Sequence, residues 1–212
     1  MLYRGDKQME LVVITLEKIL KDEAIAINRL FSEGLQTLHL RKPDSSLTDL
    51  RILLMSIDTA YHHLIVLHDH FALTEEFNLK GVHLNRRNNT PPVGEVLSIS
   101  KSCHTWSELM DSGAYNYVFL SPIFNSISKE GYTKAFSEEE LIAARNDGRI
   151  HRKVYALGGI SLKEIKQAAT YGFGGVAVLG SLWGTYEEDK NEDALLKRFD
   201  ELRRECNKYS VL

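Results

Sequence analysis

The sequence predicts a (β/α)8 barrel, an α/β fold of TIM-barrel type, forming one domain over residues 1–212. Strand-like and helical patterns alternate from end to end in about eight units of about 25 residues. The strand patterns are short and apolar on both faces, as in a parallel sheet covered on both sides. An open doubly wound sheet is the alternative, and it favours a glycine-rich turn after the first strand. The sequence there is TLEKILKD, which has no glycine.

Each strand is predicted from a run rich in Val, Ile, Leu and aromatic residues between turn residues. The eight runs are 10–16, 37–41, 64–68, 81–84, 98–103, 117–121, 153–157 and 175–179. Helical patterns fill most of the intervals, at 23–31, 46–61, 71–78, 106–111, after 137, after 161 and at 193–204. The run 85–92 is predicted to be a loop because it ends in two prolines.

Helix boundaries are predicted from three local signals. Gly34 follows the first helical pattern and ends it. Ser137 precedes three glutamates, which is typical of an N-cap with acidic residues in the first turn. Ser161 and Glu164 have the spacing of a capping box.

Composition restricts the classes of protein. Hydrophobic residues make up 43% and charged residues 26%, which are globular proportions. The net charge of −3 argues against bulk nucleic-acid binding, which leaves a basic footprint. Cys103 and Cys206 have neither a disulfide framework nor zinc spacing, which favours a reduced, cytoplasmic setting. No apolar run approaches the roughly 18 residues of a membrane span, and the N-terminal segment carries charges where a signal peptide needs an apolar core.

Polar residues follow the predicted strands, and in a barrel these positions meet at one mouth. They include Arg41-Lys42, His68-Asp69, Asn85 to Asn88, Ser102, His104, Ser121, Gly158-Gly159 and Gly180-Ser181. Arginine, lysine and closely approaching backbone N–H groups favour anions. The loops after the seventh and eighth strands are the usual phosphate site of this fold. We therefore expect a phosphorylated small molecule as ligand.

Several of these residues have two interpretations. Asp69 either holds Mg²⁺ through its oxygen atoms or pairs with Arg41. His83 lies inside a strand pattern, and we expect it to fill the barrel interior. His104 is either a ligand-binding residue or a surface residue, and Lys129 is solvated unless its loop closes over a ligand.

Seven segments together carry a family resemblance. In chain order they are HLRKPD, LIVLHDHFAL, GVHL, SKSCHTWSEL, SPIFNSISKEG, ALGGIS and GVAVLGSLW. They resemble, at consistent spacing over nearly the whole chain, the thiamine phosphate synthase family with its thiazole tautomerase branch. The resemblance implies a (β/α)8 barrel that acts on small phosphorylated substrates. In the implied reaction, hydroxymethylpyrimidine diphosphate loses pyrophosphate with the help of Mg²⁺, and the nitrogen of a thiazole phosphate captures the resulting cation.

The resemblance also implies roles for individual residues. The implied catalytic residues, which would contact the diphosphate or its leaving oxygen, are Arg41, Ser102 and Lys129. The implied metal-binding positions are Asp69 and Asn88. The implied substrate-binding residues are His39, Lys42, His68, His104, Ser126, Ser128, Gly158, Gly159, Leu179 and Gly180. A homo-oligomer is also implied.

The sequence departs from the family pattern at several of these positions. His39 stands for a glutamine and is more typical of the tautomerase branch; Pro43 stands for a lysine and His68 for an asparagine. Asn88 stands where a second metal-binding carboxylate is expected, which should weaken metal binding. Arg86 and Arg87 add charge to the same loop, and they either partly substitute for the metal or are solvated.

Three functions follow from this comparison. A thiamine phosphate synthase is favoured by Arg41, Asp69, Ser102 and Lys129. A thiazole phosphate tautomerase is the second, although Pro122 stands where that branch carries a catalytic histidine, leaving His104 as the nearest acid or base. A non-catalytic binder of a phosphorylated thiamine intermediate is the third.

Overall fold

The computed structural model describes residues 7–94, 97–125 and 135–211, and its centre is a closed parallel barrel. The strands are β1 Glu10–Ile14, β2 Leu38–Leu40, β3 Ile65–Leu67, β4 Gly81–Leu84, β5 Ser98–Cys103, β6 Tyr117–Leu120, β7 Val154–Leu157 and β8 Gly175–Val178. Each strand pairs with the next, and β8 pairs with β1 from Glu10↔Gly175 to Val13↔Val178. This seam closes the sheet, so the predicted barrel is confirmed.

Helices surround the barrel. They are α1 Glu23–Ser32, α2 Leu47–Ser56, α3 Leu73–Glu76, α4 Trp106–Leu109, α5 Glu138–Asn146, α6 Glu164–Thr170, α7 Gly180–Trp183, α8 Tyr186–Asp189 and α9 Glu192–Cys206. Within the described parts of the β4–β5 connection, 85–94 and 97, there is no helix, so the fourth unit departs from the expected strand–helix repeat. No helix among the described residues has the length and apolar character needed to cross a membrane.

Two predicted helix boundaries were wrong. The pattern at 46–61 is a shorter helix that ends at Ser56, because Ile57 is extended and the Asp58 carboxylate accepts the N–H of Ala60 and starts a separate 3₁₀ turn. Near α6, the Ser161 N–H donates to the Glu164 carboxylate as a capping box requires, but the Glu164 N–H bonds to the Ser161 carbonyl instead of the hydroxyl. The helix therefore begins at Glu164, two residues later than a complete box with Ser161 as N-cap would set it.

The other two boundary signals are confirmed. Ser137 caps α5 in a complete box: its hydroxyl accepts the Glu140 N–H at 3.2 Å, and the Glu140 carboxylate accepts the Ser137 N–H at 2.7 Å. Gly34, with φ +96°, ends the turn after α1 and its N–H donates to the Phe31 carbonyl.

The interior of the barrel has two unlike halves. Strands β1, β6, β7 and β8 fill one half with an apolar cluster, namely Val12, Ile14, Tyr117, Phe119, Tyr155 and Ala177. Strands β2 to β5 line the other half with histidine and serine. A second and larger apolar layer lies outside the strands, between them and the helices.

A short antiparallel ribbon joins the two ends of the described chain. Lys7–Gln8 pairs with Ser210–Val211, and the Met9 N–H donates to the Tyr209 carbonyl at 3.0 Å. Two-residue strands leave no periodic signal in the sequence, and the ribbon was not predicted. Because only Met9 separates Gln8 from β1, the ribbon lies at the amino ends of the strands, opposite the mouth.

Gly81 at the start of β4 gives a test of the barrel packing. A Cβ atom there would lie 1.9 Å from the Ser98 carbonyl oxygen, so β4 and β5 would have to separate. We expect Gly81→Ala to lower the free energy of unfolding, measured by urea denaturation, by about 1–3 kcal/mol. Gly113→Ala is the control, since a Cβ there meets nothing within 4 Å. Equal stability of the two variants would contradict this packing.

Candidate active site

Three buried histidines form the floor of the barrel mouth. His39 lies on β2, His83 on β4, and His68 directly follows β3. The Nδ1 atom of His39 lies 2.8 Å from Nε2 of His68 and hydrogen-bonds to it. The rings of His68 and His83 are stacked with their centroids 4.3 Å apart. His83 fills the interior, as the sequence predicted.

Hydroxyl groups satisfy the remaining nitrogens of two of these rings. The Tyr117 hydroxyl lies 2.5 Å from Nε2 of His39. The Nδ1 and Nε2 atoms of His83 each lie 2.8 Å from a serine Oγ, of Ser100 and Ser102 respectively. Because buried polar groups cost free energy unless they are hydrogen-bonded, this network makes a polar floor possible inside a barrel.

The floor is electrically neutral near pH 7. Burial, reinforced by the other histidines, holds the pKa of His39 and of His68 well below the usual range. Burial lowers the pKa of His83 to about 3, with the charges of Arg41 and His104 acting in the same direction. Neutral imidazoles present both hydrogen-bond donors and acceptors.

This cluster does not fit a metal ion, although its nitrogens lie within 4.8 Å of one another. A metal bound by imidazole lies near the plane of the ring. The planes of His68 and His83 are stacked at 25°, so their in-plane lone pairs do not converge on one point. Their serine and histidine partners also occupy the nitrogens that a metal would need.

Arg41 lies at the rim above this floor. Its Nη1 atom is 2.7 Å from the Glu17 carboxylate, and its backbone N–H donates to the buried Thr15 hydroxyl at 3.0 Å. Burial is the main cause of the lowered pKa of His68, and the charge of Arg41 acts in the same direction. The partner is Glu17, a carboxylate that the sequence analysis did not consider.

Lys42 requires a correction. The sequence analysis placed it among the substrate-binding residues, but its side chain is fully buried, with Nζ 2.6 and 2.8 Å from the Glu23 carboxylate oxygens. Nζ also donates to the carbonyls of Leu16 and Lys18. Burial lowers the pKa of Lys42 and raises that of Glu23, and their mutual attraction opposes both shifts. With its donors committed, Lys42 anchors the loop after β1 and offers nothing to a substrate.

Asp69 is a second acidic group of the rim, and its partner is not Arg41. Its Oδ1 accepts Nη2 of Arg87 at 3.1 Å and Nδ2 of Asn88 at 2.9 Å. Asn88 therefore turns its nitrogen, and not its carbonyl oxygen, toward the carboxylate. One carboxylate shared by two donors does not fit a Mg²⁺ ion, which takes oxygen ligands.

Ser102 and His104 lie at the end of β5. Ser102 donates to or accepts from His83, as described above. His104 is half-buried, and its Nδ1 lies 3.1 Å from the Ser121 carbonyl and 3.2 Å from the Ser121 hydroxyl. The ends of β5 and β6 thus share a hydrogen-bonded pair next to the floor.

The glycines after β7 are required by the close approach of two loops. Gly158 and Gly159 have φ of +96° and +67°. A Cβ on Gly159 would lie 2.3 Å from the Asn125 carbonyl oxygen. At the end of the neighbouring strand β8, Leu179 precedes α7, and Gly180 begins it. The Ser181 hydroxyl is buried and has no hydrogen-bond partner among the described residues.

Three predicted site residues, Ser126, Ser128 and Lys129, lie outside the described residues. Sequence reasoning missed three others: Glu17, Ser100 and Tyr117. The alternation in β5 could have identified Ser100, because SISKSC places serine at every second position and so on one face of the strand. The Glu17 contact depends on two loops and had no local signal.

The buried histidines predict a pH dependence of stability. The pKa of His83 is lower in the folded chain than the value near 6.5 expected in the unfolded one, so the unfolded chain binds more protons between these values. The stability is full above about pH 6.5 and falls by up to about 1.4 kcal/mol per pH unit below it for each such histidine. Urea denaturation between about pH 5 and 8 measures this slope.

Two variants separate the cluster from the remaining histidines. His83→Gln should reduce the slope, whereas His63→Gln, at an exposed position, should leave it unchanged. Identical slopes in the wild type and His83→Gln would show that His83 does not contribute.

Comparison with known proteins agrees with this geometry. Residues 11–182 match the thiamine monophosphate synthase family. The thiamine-phosphate synthase of Latilactobacillus sakei is 31% identical over 130 residues, covering 58% of this chain and 57% of that protein. The thiamine-phosphate synthase of Flavobacterium psychrophilum is 24% identical over 184 residues, covering 81% of this chain and 89% of that protein.

A solved structure extends the likeness to the whole barrel. The crystal structure of thiamine phosphate pyrophosphorylase from Bacteroides thetaiotaomicron is 39% identical with a TM-score of 0.85, covering 93% of this chain and 97% of that one. The first of the relatives above is matched over little more than half its length, whereas this structure is matched almost completely. Since both the family match and this structural likeness cover most of the sequence, the chain belongs to the thiamine monophosphate synthase family.

Proposed function

We propose that the chain is a thiamine phosphate synthase, a transferase that joins hydroxymethylpyrimidine diphosphate to thiazole phosphate and releases pyrophosphate. One observation carries this proposal: a single mouth holds, above a neutral polar floor, two separate groups of residues whose chemistry suits anions. Arg41 and Arg87 lie at the ends of β2 and β4, and Gly159 and Ser181 lie at the ends of β7 and β8. Two phosphorylated substrates require two such groups.

The reaction needs charge stabilisation more than a nucleophile. The bond between the pyrimidine methylene carbon and the diphosphate oxygen breaks, and pyrophosphate leaves with the electron pair. The lone pair of the thiazole nitrogen then forms the new carbon–nitrogen bond. Guanidinium groups stabilise the charge that develops on the leaving oxygen. Arg41 is suited to this role because its pair with Glu17 is partly exposed and can be exchanged for a phosphoryl group.

The neutral floor suits the pyrimidine ring. His39 and His68 carry no charge near neutral pH and lie in a network of donors and acceptors. An uncharged nitrogen heterocycle exchanges hydrogen bonds with such a surface without bringing a charge into the barrel. Ser102 and His104 lie between this floor and the rim, where they can contact the diphosphate.

The other side of the mouth suits the thiazole phosphate. The Ser181 hydroxyl is buried without a partner among the described residues, and a phosphate oxygen would accept its hydrogen. Gly158 and Gly159 hold the loop after β7 tightly against the loop after β6, and the Leu179-Gly180 backbone begins the next helix at the same end of the barrel.

Mg²⁺ is implied by the family resemblance as the activator of diphosphate departure. The donors around Asp69 do not fit the ion, because Arg87 and Asn88 already share Oδ1.

The two alternative functions have less support. A tautomerase needs an acid or base, and Pro122 stands where a histidine is expected. The nearest imidazole, His104, is hydrogen-bonded through Nδ1 to Ser121. A non-catalytic binder would not need a charged rim separate from the second phosphate group. The relatives described above are named as synthases or pyrophosphorylases.

A homo-oligomer in the cytoplasm is part of the same proposal and rests on the family resemblance. Light scattering coupled to size exclusion tests the assembly against the monomer mass of 24.1 kDa. A mass at least twice this value is expected, and a monomer at all protein concentrations would contradict it.

The activity is tested by incubating the protein with both substrates and measuring thiamine phosphate and pyrophosphate. We expect the two products in equal amounts. Arg41→Ala should lower kcat/KM by about 100-fold, because it removes a group that acts on the leaving diphosphate. Arg51→Ala is the matched control, since its exposed pair with Glu76 lies on the outer helices.

Other outcomes identify the alternatives. Proton exchange on a carboxythiazole phosphate without any diphosphate substrate would indicate a tautomerase. Tight binding of thiazole phosphate with no turnover would indicate a binder. Arg41→Ala should not weaken thiazole phosphate binding, whereas Ser181→Ala should weaken it if the second anion site is correctly placed.

A further inference from the structure

The turn after β4, residues 85–88, is folded over the acidic residue of the rim. The Asn85 Oδ1 accepts the backbone N–H groups of Arg87 and Asn88 at 2.9 and 3.2 Å. The Asn85 Nδ2 donates to the His68 carbonyl at 3.1 Å. These bonds fix the turn against the end of β3, so the side chains of Arg87 and Asn88 are directed to the neighbouring Asp69.

The Asp69 carboxylate is buried and already accepts hydrogen bonds from Arg87 and Asn88. Its side chain is 9% exposed, while that of Arg87 is 44% exposed. Arg87 Nη2 lies 3.1 Å from Oδ1 and 3.5 Å from Oδ2. The cation thus approaches from the solvent side, which is the side from which a metal ion would enter.

The amide of Asn88 closes the second approach. Its Nδ2 donates both to Asp69 Oδ1 at 2.9 Å and to the His68 carbonyl at 3.0 Å. Both acceptors fix which end of the amide is nitrogen. Turning the amide over, to offer its oxygen to a metal, would place that oxygen against the His68 carbonyl and leave both acceptors without this donor.

We propose that Arg87 takes the place of a divalent cation at Asp69, so that the guanidinium and a metal ion compete for one carboxylate and the guanidinium holds it in this chain. The role in diphosphate binding rests on the proposed function; the competition itself does not. Arg87 is a cation attached to the site, and its planar group carries donors that can bind two phosphoryl oxygens at once. It can therefore supply positive charge to a diphosphate without a free ion.

The competition is tested by direct metal binding, with Mn²⁺ as the probe and electron paramagnetic resonance as the measurement. We expect weak Mn²⁺ binding to the wild type and at least about tenfold tighter binding to Arg87→Ala. The substitution removes the guanidinium that neutralises the Asp69 carboxylate, so the carboxylate can bind a metal ion. Asp69→Asn in the Arg87→Ala background should abolish the gain. Circular dichroism verifies that the variants are folded.

Arg86→Ala is the matched control, since it removes the same charge from the same turn one residue earlier. Its Mn²⁺ affinity should stay within about twofold of the wild type if the contact, and not the general charge of the turn, decides the competition. The proposal is overturned if the wild type binds Mn²⁺ through Asp69 as tightly as Arg87→Ala does, or if the two arginine variants behave alike.

A second measurement addresses the anion. Titration calorimetry with inorganic pyrophosphate in the presence of EDTA should show binding to the wild type and about tenfold weaker binding to Arg87→Ala. Binding that appears only when Mg²⁺ is added would overturn the proposal. Neither experiment uses a pyrimidine or thiazole substrate, so failure of the synthase assay would leave both results interpretable.

Discussion

Closure of the sheet between β8 and β1 is the constraint on which the site depends. Four residue pairs join these strands, from Glu10↔Gly175 to Val13↔Val178. Only a closed ring places the carboxyl ends of all eight strands around one opening. The contacts that build the rim are made between loops of neighbouring strands: Arg41 reaches back to Glu17, and Arg87 reaches back to Asp69. An open sheet would keep some of these contacts but would separate the loops of the first and last strands.

The barrel interior has a polar half that is uncharged, and charged side chains lie above it at the rim. The polar half contains imidazoles and hydroxyl groups that satisfy each other, while the Arg41–Glu17 ion pair stands at the rim, where water can still reach it. A charge on the floor would need a buried partner of opposite sign. The histidines avoid this cost because burial lowers their pKa values, so they stay uncharged near neutral pH. Tyr117 connects the halves, since its ring belongs to the apolar cluster and its hydroxyl bonds to His39.

The sequence was sufficient to predict the architecture and the end of the barrel at which the site lies. It was not sufficient to predict which charged side chains pair with each other. All eight strands lie where the apolar runs predicted them, because buried parallel strands have a strong composition signal. Arg41 and Lys42 are adjacent cations, yet Arg41 forms a partly exposed pair with Glu17, whereas Lys42 is buried against Glu23. Both follow β2, and the burial of Lys42 depends on a carboxylate in another element. Asp69 likewise has its partner 18 residues away, in a loop whose shape is set by the Asn85 side chain.

The ribbon of Lys7–Gln8 and Ser210–Val211 brings the two ends of the barrel sequence side by side, at the pole of the molecule opposite the mouth. The fold therefore depends more on the order of the strands around the barrel than on the point at which the chain starts. A short peptide joining these ends, with new termini opened in a surface turn such as Ser112–Ala114, would give a circularly permuted chain with the same neighbours around the ring.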